Sequence, residues 1–258
     1  MPATPRYLEI AADLRHKIRS EMLLPGEQLP TIGDLKSTYS VAVGTVQKAL
    51  DKLTAEGLIT GKQGRGNFVR EHIEYVRKTG NRYSRKFKPN LQESEDGGWQ
   101  AQVAAELSQV MADKDVARLL EIEPGDYVSK AVYTWMVSGE CVQISTQYEP
   151  LDLTRGTLIE TPATGDVNQP DVITRYDSIG IYTVEVKEDI RARPPSPEEE
   201  QAMRLPAGVP VFELERTHYA EVPLKLPGAP MEIRKIEASY ILLRADRWVI
   251  SNVQKVPR

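Results

Sequence analysis

Three glycines stand among Lys62, Gln63 and Arg65 in the stretch Gly57–Val69, "GLITGKQGRGNFV". Cationic and amide side chains on a glycine-rich loop suit phosphate oxygens, whether of a nucleotide or of a nucleic-acid backbone. A nucleotide loop sets its glycines between a strand and a following helix and ends in Gly-Lys-Ser/Thr. Here the apolar segments "LIT" and "NFV" flank the loop, a strand rather than a helix follows, and Gly66-Asn67 makes no such ending. The pattern predicts a β-hairpin with its glycines at the tip, where Gly64 lets the backbone approach a groove while Lys62 and Arg65 contact phosphates. Little else in the chain has the spacing for catalysis. Cys141 in "GECVQIS" reads as a buried strand residue, and His16, His72 and His218 fall at no metal-ligand spacing. Neither a metal site nor a cofactor nor an enzymatic activity is expected.

The elements before that hairpin must position it. "TPRYLEIAADLRHKIRS" offers Thr4 as N-cap, Pro5 as first helical residue, and Leu8, Ala11, Ala12, Leu14 and Ile18 on one face. "LLPGEQLP" breaks this helix. A short helix follows, capped by Thr31 and packed through Ile32, Leu35 and Tyr39. After the bend "YSVA" comes a third helix with Val46, Ala49, Leu50 and Leu53 inward and Gly57 as its stop. Two helices joined by a tight turn and followed by a hairpin describe a winged helix-turn-helix.

Charge supports a polyanion partner for this part alone. Residues 1–90 hold 16 Lys+Arg against 9 Asp+Glu, whereas the whole chain of 258 residues has a net charge of −4. A basic head on an acidic body suggests two domains with different employment. No apolar run reaches the length of a membrane helix, "MPATPRYLEI" lacks a signal-peptide core, and a single cysteine fits a reducing compartment, so a cytoplasmic location is expected.

"LPGEQLPTIGDL…VGTVQKALDKLTAEGLITGKQGRGNFV" resembles the winged-helix domain of GntR-family transcription regulators, over roughly residues 5–70. The resemblance implies double-stranded DNA as partner. The DNA-contacting set is then Thr31, Thr45, Gln47 and Lys48 from the helices and Lys62, Gln63, Gly64 and Arg65 from the wing. Two departures stand out. Ile32-Gly33 replaces the usual Glu-Arg, and Ala42-Val43-Gly44 replaces the usual Ser/Thr-Arg-Thr, so operator reading should rely more on apolar contact than on bidentate guanine contacts.

The segment 73–98 carries Arg77, Lys78, Arg82, Arg85, Lys86 and Lys88 and reads as a basic junction, either along the DNA backbone or as a solvated linker. Beyond it, "DVARLLEIEPGDYVSKAVYTW" and "EEEQAMRLPAGVPVFELERTHY" share a helix–turn–strand pattern around Gly125 and Gly208, with helix starts at Asp113 and Ser196. A body used twice in this way, among further alternating strands, predicts an α+β domain with a mainly antiparallel sheet and a cleft between halves. Its marks "NRYSRKF", "EPGDYV", "QYEPLDL", "RARPPSPEEE" and "IEASYILLRADRW" resemble the UTRA effector domain of the HutC subfamily, a chorismate-lyase-like fold.

The expected organisation is a winged helix-turn-helix in 1–72, the junction in 73–98 and a UTRA-like domain in 99–258. By resemblance the body binds a small-molecule effector through Tyr83, Ser84, Tyr133, Trp135, Asp171, Ile173 and Glu237, and it pairs the chain into a homodimer on a pseudo-palindromic operator. Tyr133 and Trp135, where sugar-phosphate-sensing members commonly carry arginines, cannot neutralise a phosphate; they line the pocket or belong to the core. The function implied is a repressor released by its effector. The alternatives are a constitutive repressor of the plasmid-transfer type with an unused ligand domain, and a chorismate-lyase-like enzyme with a DNA-binding head.

Overall fold

A computed structural model describes residues 5–62, 64–70, 74–80, 82–85, 89–162, 171–206, 208–223 and 231–253. The chain divides into two compact units, one of Met1–Ile73 with Pro194–Glu200 and Leu205–Pro210, the other comprising the remainder.

In the first unit, α1 (Arg6–Arg19), α2 (Ile32–Tyr39) and α3 (Val43–Ala55) precede the strands β1 (Ile59–Lys62) and β2 (Gly66–Val69). Pro5 occupies the cap position of α1 rather than its first turn, and Thr4 lies outside the described residues. Ile10 joins Ala11 and Leu14 in the core while Ala12 is exposed, one step of rotation from the expected face. α2 is held by a capping box in which Thr31 and Asp34 satisfy each other's backbone N–H groups. The stripe Val46, Ala49, Leu50 and Leu53 of α3 is buried against α1 residues and Leu35. Gly57, at φ 70°, ends α3 as expected. β1 and β2 pair antiparallel from Ile59↔Val69 to Lys62↔Gly66.

The second unit starts with β3 (Tyr75–Lys78) and α4 (Pro89–Gly97) and ends with β10 (Trp248–Ser251). β3 pairs in parallel with β10, so the segment read as a linker is a strand of the body. Arg77 and Arg82 are almost wholly buried, and they pair with Glu188 and Glu93 respectively. For these two arginines this corrects the expectation of a solvated or DNA-following basic junction, because a charge count does not reveal carboxylate partners distant in sequence, whereas Lys78 and Arg85 are exposed. Lys86 and Lys88 lie outside the described residues.

The remaining elements are β4 (Gln102–Met111), α5 (Lys114–Leu120), β5 (Tyr127–Val137), β6 (Glu140–Pro150), α6 (Leu151–Thr154), α7 (Val172–Asp177), β7 (Tyr182–Arg193), α8 (Pro197–Met203), β8 (Val211–Pro223) and β9 (Met231–Arg244). Six strands form one antiparallel sheet in the order β4-β5-β6-β9-β8-β7. The internal echo is thus a repeated strand–helix–strand–strand unit, β4-α5-β5-β6 and β7-α8-β8-β9, whose last strands meet antiparallel at the centre. Asp113 caps α5 by accepting from Asp115 and Val116, and Ser196 opens α8 in a reciprocal arrangement with Glu199.

Register sorts the side chains. One sheet face carries Ala131, Tyr133 and Trp135 opposite Gln147, Ser145 and Gln143, which lie opposite Ser239, Ile241 and Leu243. β8 adds Leu214, Arg216 and His218 to that face, and β7 adds Glu188 opposite Arg216. Its apolar end packs against Tyr75, Trp99 and Trp248, whose rings meet at centroid distances of 5.1, 5.4 and 6.1 Å. Its other end is buried but polar.

Candidate functional site

The wing and the third helix form the first candidate surface. Lys62 extends its ammonium over the Phe68 ring at 4.6 Å, which draws the stem along the hairpin and leaves the residue exposed near the tip. Gly64 and Gly66 have φ of 70° and 94°, a region costly for residues with a Cβ, so the turn requires both. Gln28 donates to the carbonyl of Arg65 at 2.8 Å, tying the turn to the preceding loop, while Arg65 itself is exposed. Gln63 lies outside the described residues.

On α3, Gln47 and Lys48 are exposed and Thr45 is half-buried. Gln47 donates to Asp51 at 2.8 Å, one turn further on, which fixes the direction of its amide. The Thr31 hydroxyl is occupied by Asp34, so its role within the chain is to start α2.

The polar end of the inner sheet face is the second candidate. Glu237, 0 % exposed, accepts from Arg216 Nη2 at 2.8 Å and from His218 Nδ1 at 2.6 Å. A carboxylate only accepts, so the His218 proton on this side sits on Nδ1. Burial raises the carboxyl of Glu237, but Arg216 and His218 outweigh it and hold the group down at about 2. Burial keeps His218 below its ordinary range despite that carboxylate. Two further arginines are matched in the same way. Arg175 bonds Glu149 at 2.6 and 3.2 Å and also donates to the carbonyl of Ile159. Arg77 meets Glu188, which accepts from the Tyr83 hydroxyl at 2.6 Å. The Tyr83 ring stands edge-on to His218 with centroids 5.7 Å apart.

Besides Arg77 Nε, two polar atoms here are left without a hydrogen-bond partner: Arg216 Nε and Ser239 Oγ. Their residues are direct register partners on β8 and β9. The Arg216 side chain keeps 17 % of its surface accessible although its Nε is covered.

Of the residues expected around an effector, Tyr83, Tyr133 and Glu237 converge on this polar end. Burial pushes the Tyr133 hydroxyl up to about 12, with Glu149 adding to the effect. Trp135 belongs to the apolar core together with Tyr133. Ser84 is exposed, Ile173 is buried, and Asp171 caps α7 by accepting from the Thr174 N–H at 2.8 Å. Glu149, Arg175, Glu188, Arg216, His218 and Ser239 were missed. Parity could have found several: Arg216 and His218 continue the inward phase of Leu214, and Glu237 and Ser239 that of Ile241. Among the described residues no group of three or more His, Cys, Asp or Glu could hold a metal ion. No helix there is long and apolar enough to cross a membrane.

Residues 6–69 match the family described as bacterial regulatory proteins, gntR family, and residues 103–225 match the UTRA domain. The chain belongs to the GntR family, in its branch with a UTRA effector domain. It is similar to the HTH-type transcriptional regulator GgaR of Escherichia coli K12, at 26 % identity with 95 % of this chain and 90 % of GgaR covered. An uncharacterized HTH-type transcriptional regulator of Streptomyces coelicolor is 28 % identical, over 84 % of each chain. A crystal structure described as a GntR-family transcriptional regulator superposes with a TM-score of 0.66 at 29 % identity, covering 98 % of this chain and 99 % of that one. PhnF from Mycobacterium smegmatis shares the fold, with a TM-score of 0.56 at 21 % identity over 96 % and 99 % of the two chains. This GntR–UTRA protein is therefore a DNA-binding transcription regulator, with the winged unit as the part that meets DNA.

Proposed function

We propose that the protein is a homodimeric repressor of a pseudo-palindromic operator, released by a small-molecule effector seated at the polar end of the inner sheet face. The observation that carries the effector site is the pair of unpartnered buried atoms, Arg216 Nε and Ser239 Oγ, on directly opposed residues of β8 and β9. Buried polar atoms left unmatched are costly, and a ligand that accepts from Nε and bonds the hydroxyl removes that cost. The three neighbouring arginines each face a carboxylate, so the site offers no surplus positive charge to an anion. An uncharged polar ligand fits it best. Glu237 is spent on Arg216 and His218, so it orients the site rather than binding an amine. Release requires that the effector bind the DNA-free form of the dimer more tightly than the DNA-competent form.

The completeness of those ion pairs also favours one other reading, a constitutive repressor whose ligand site is closed on itself. Competitive displacement separates the two. Metabolite fractions are added to the protein bound to fluorescent operator DNA, and the active fraction is tested again on Ser239→Ala. Release of the parent but not of the variant supports the effector site. Equal release of both removes it, and no release by any fraction favours the constitutive reading.

A further inference from the structure

The first turn of α3 contains two residues that the fold does not explain. Val43 is 50 % exposed and takes no part in the core beneath the helix. β-Branched residues form helices less readily than alanine or leucine, and this one is not compensated by burial. Gly44 follows in the helix, exposed, and a Cβ there would meet nothing within 4 Å. Glycine inside a helix is less stable than alanine, so the chain carries a cost that neither packing nor backbone conformation requires. Ala42, the exposed cap residue, forms no side-chain cap bond. The tip of the helix thus presents Ala42, Val43 and Gly44 with no side-chain donor; half-buried Thr45 follows, and the fully exposed polar side chains begin with Gln47 and Lys48.

In helix-turn-helix proteins the N-terminal residues of the second helix approach base edges in the major groove. The group there that suits an apolar side chain is the 5-methyl of thymine. The geometry points to a reading tip in which Val43 packs its methyls on a thymine methyl and Gly44, lacking a Cβ, lets the helix backbone come close enough for that contact. This assigns a specificity element for thymine to the helix tip, with Gln47 and Lys48 left for polar contacts.

The test uses the full-length protein and duplexes selected by it from a random pool. Each thymine of the selected half-site is replaced in turn by uracil, which removes only the methyl. One thymine should weaken binding by about fourfold on losing its methyl, the worth of one buried methyl group. With Val43→Ala that sensitivity should largely vanish while the other positions keep theirs. Gly44→Ala should raise the melting temperature yet weaken selected DNA by about tenfold, with random DNA bound as before. Melting curves verify that both variants fold. The absence of a methyl-sensitive thymine, an unchanged methyl effect in Val43→Ala, or parental affinity in Gly44→Ala would each overturn the assignment.

Discussion

Arg216 and Ser239 lie directly opposite one another on β8 and β9, and each buries a polar atom that has no hydrogen-bond partner. An unmatched buried hydroxyl contributes nothing and costs its desolvation. Ser239→Ala should therefore leave the unfolding free energy unchanged or raise it by about 1 kcal/mol, read from urea denaturation. A loss of more than about 1 kcal/mol would mean that the hydroxyl is bonded in the ligand-free protein.

Glu237 is the opposite case. It neutralises Arg216 and bonds His218 while fully buried. Removing its charge in Glu237→Gln leaves the guanidinium uncompensated, and stability should fall by about 3 kcal/mol. A denaturation midpoint equal to that of the parent would show that Arg216 has another counter-charge.

The same cluster sets a pH dependence. Burial depresses His218 below 6.5, so on acidification the unfolded chain takes up its proton first and stability is lost as pH falls through that value. Glu237, held at about 2 against an ordinary 4.5, adds stability that is present above 4.5 and lost as pH falls towards 2. The protein should be less stable at pH 5.5 than at pH 7.5, and His218→Asn, which keeps a donor towards Glu237, should shrink that difference. An equal loss in both proteins would place the pH sensitivity elsewhere.

At the wing, Arg65 is exposed at the tip beside Gly64 and Gly66. Arg65→Ala should weaken specific and random DNA by similar factors and lower the slope of log K against log salt by about 1. A loss confined to the operator, with the slope unchanged, would make Arg65 a base reader.

The winged unit was legible because its signals are local. Thr31 with Asp34, Gly57 after α3, and the paired segments around Gly64 each declare themselves within a few residues. The sheet of the body was legible from alternation and from the echo around Gly125 and Gly208. The polar cluster was not, because it is assembled from β3 and the segment after it together with β5, β6, α7, β7, β8 and β9. Arg77 finds Glu188 across 111 positions, and composition alone reads such an arginine as solvated. Trp135 shows the limit of carrying a pocket over by strand position. It shares both a face and an apolar cluster with Tyr133, and it is Tyr133 that also lies in the field of Glu149, Arg175 and Glu237.

The central claim, a two-fold regulator acting on DNA, is tested most directly by footprinting the full-length protein on the DNA upstream of its own coding sequence. The account predicts protection of two inverted half-sites whose centres lie about one helical turn, or a multiple of it, apart. A protected segment without dyad symmetry would contradict it.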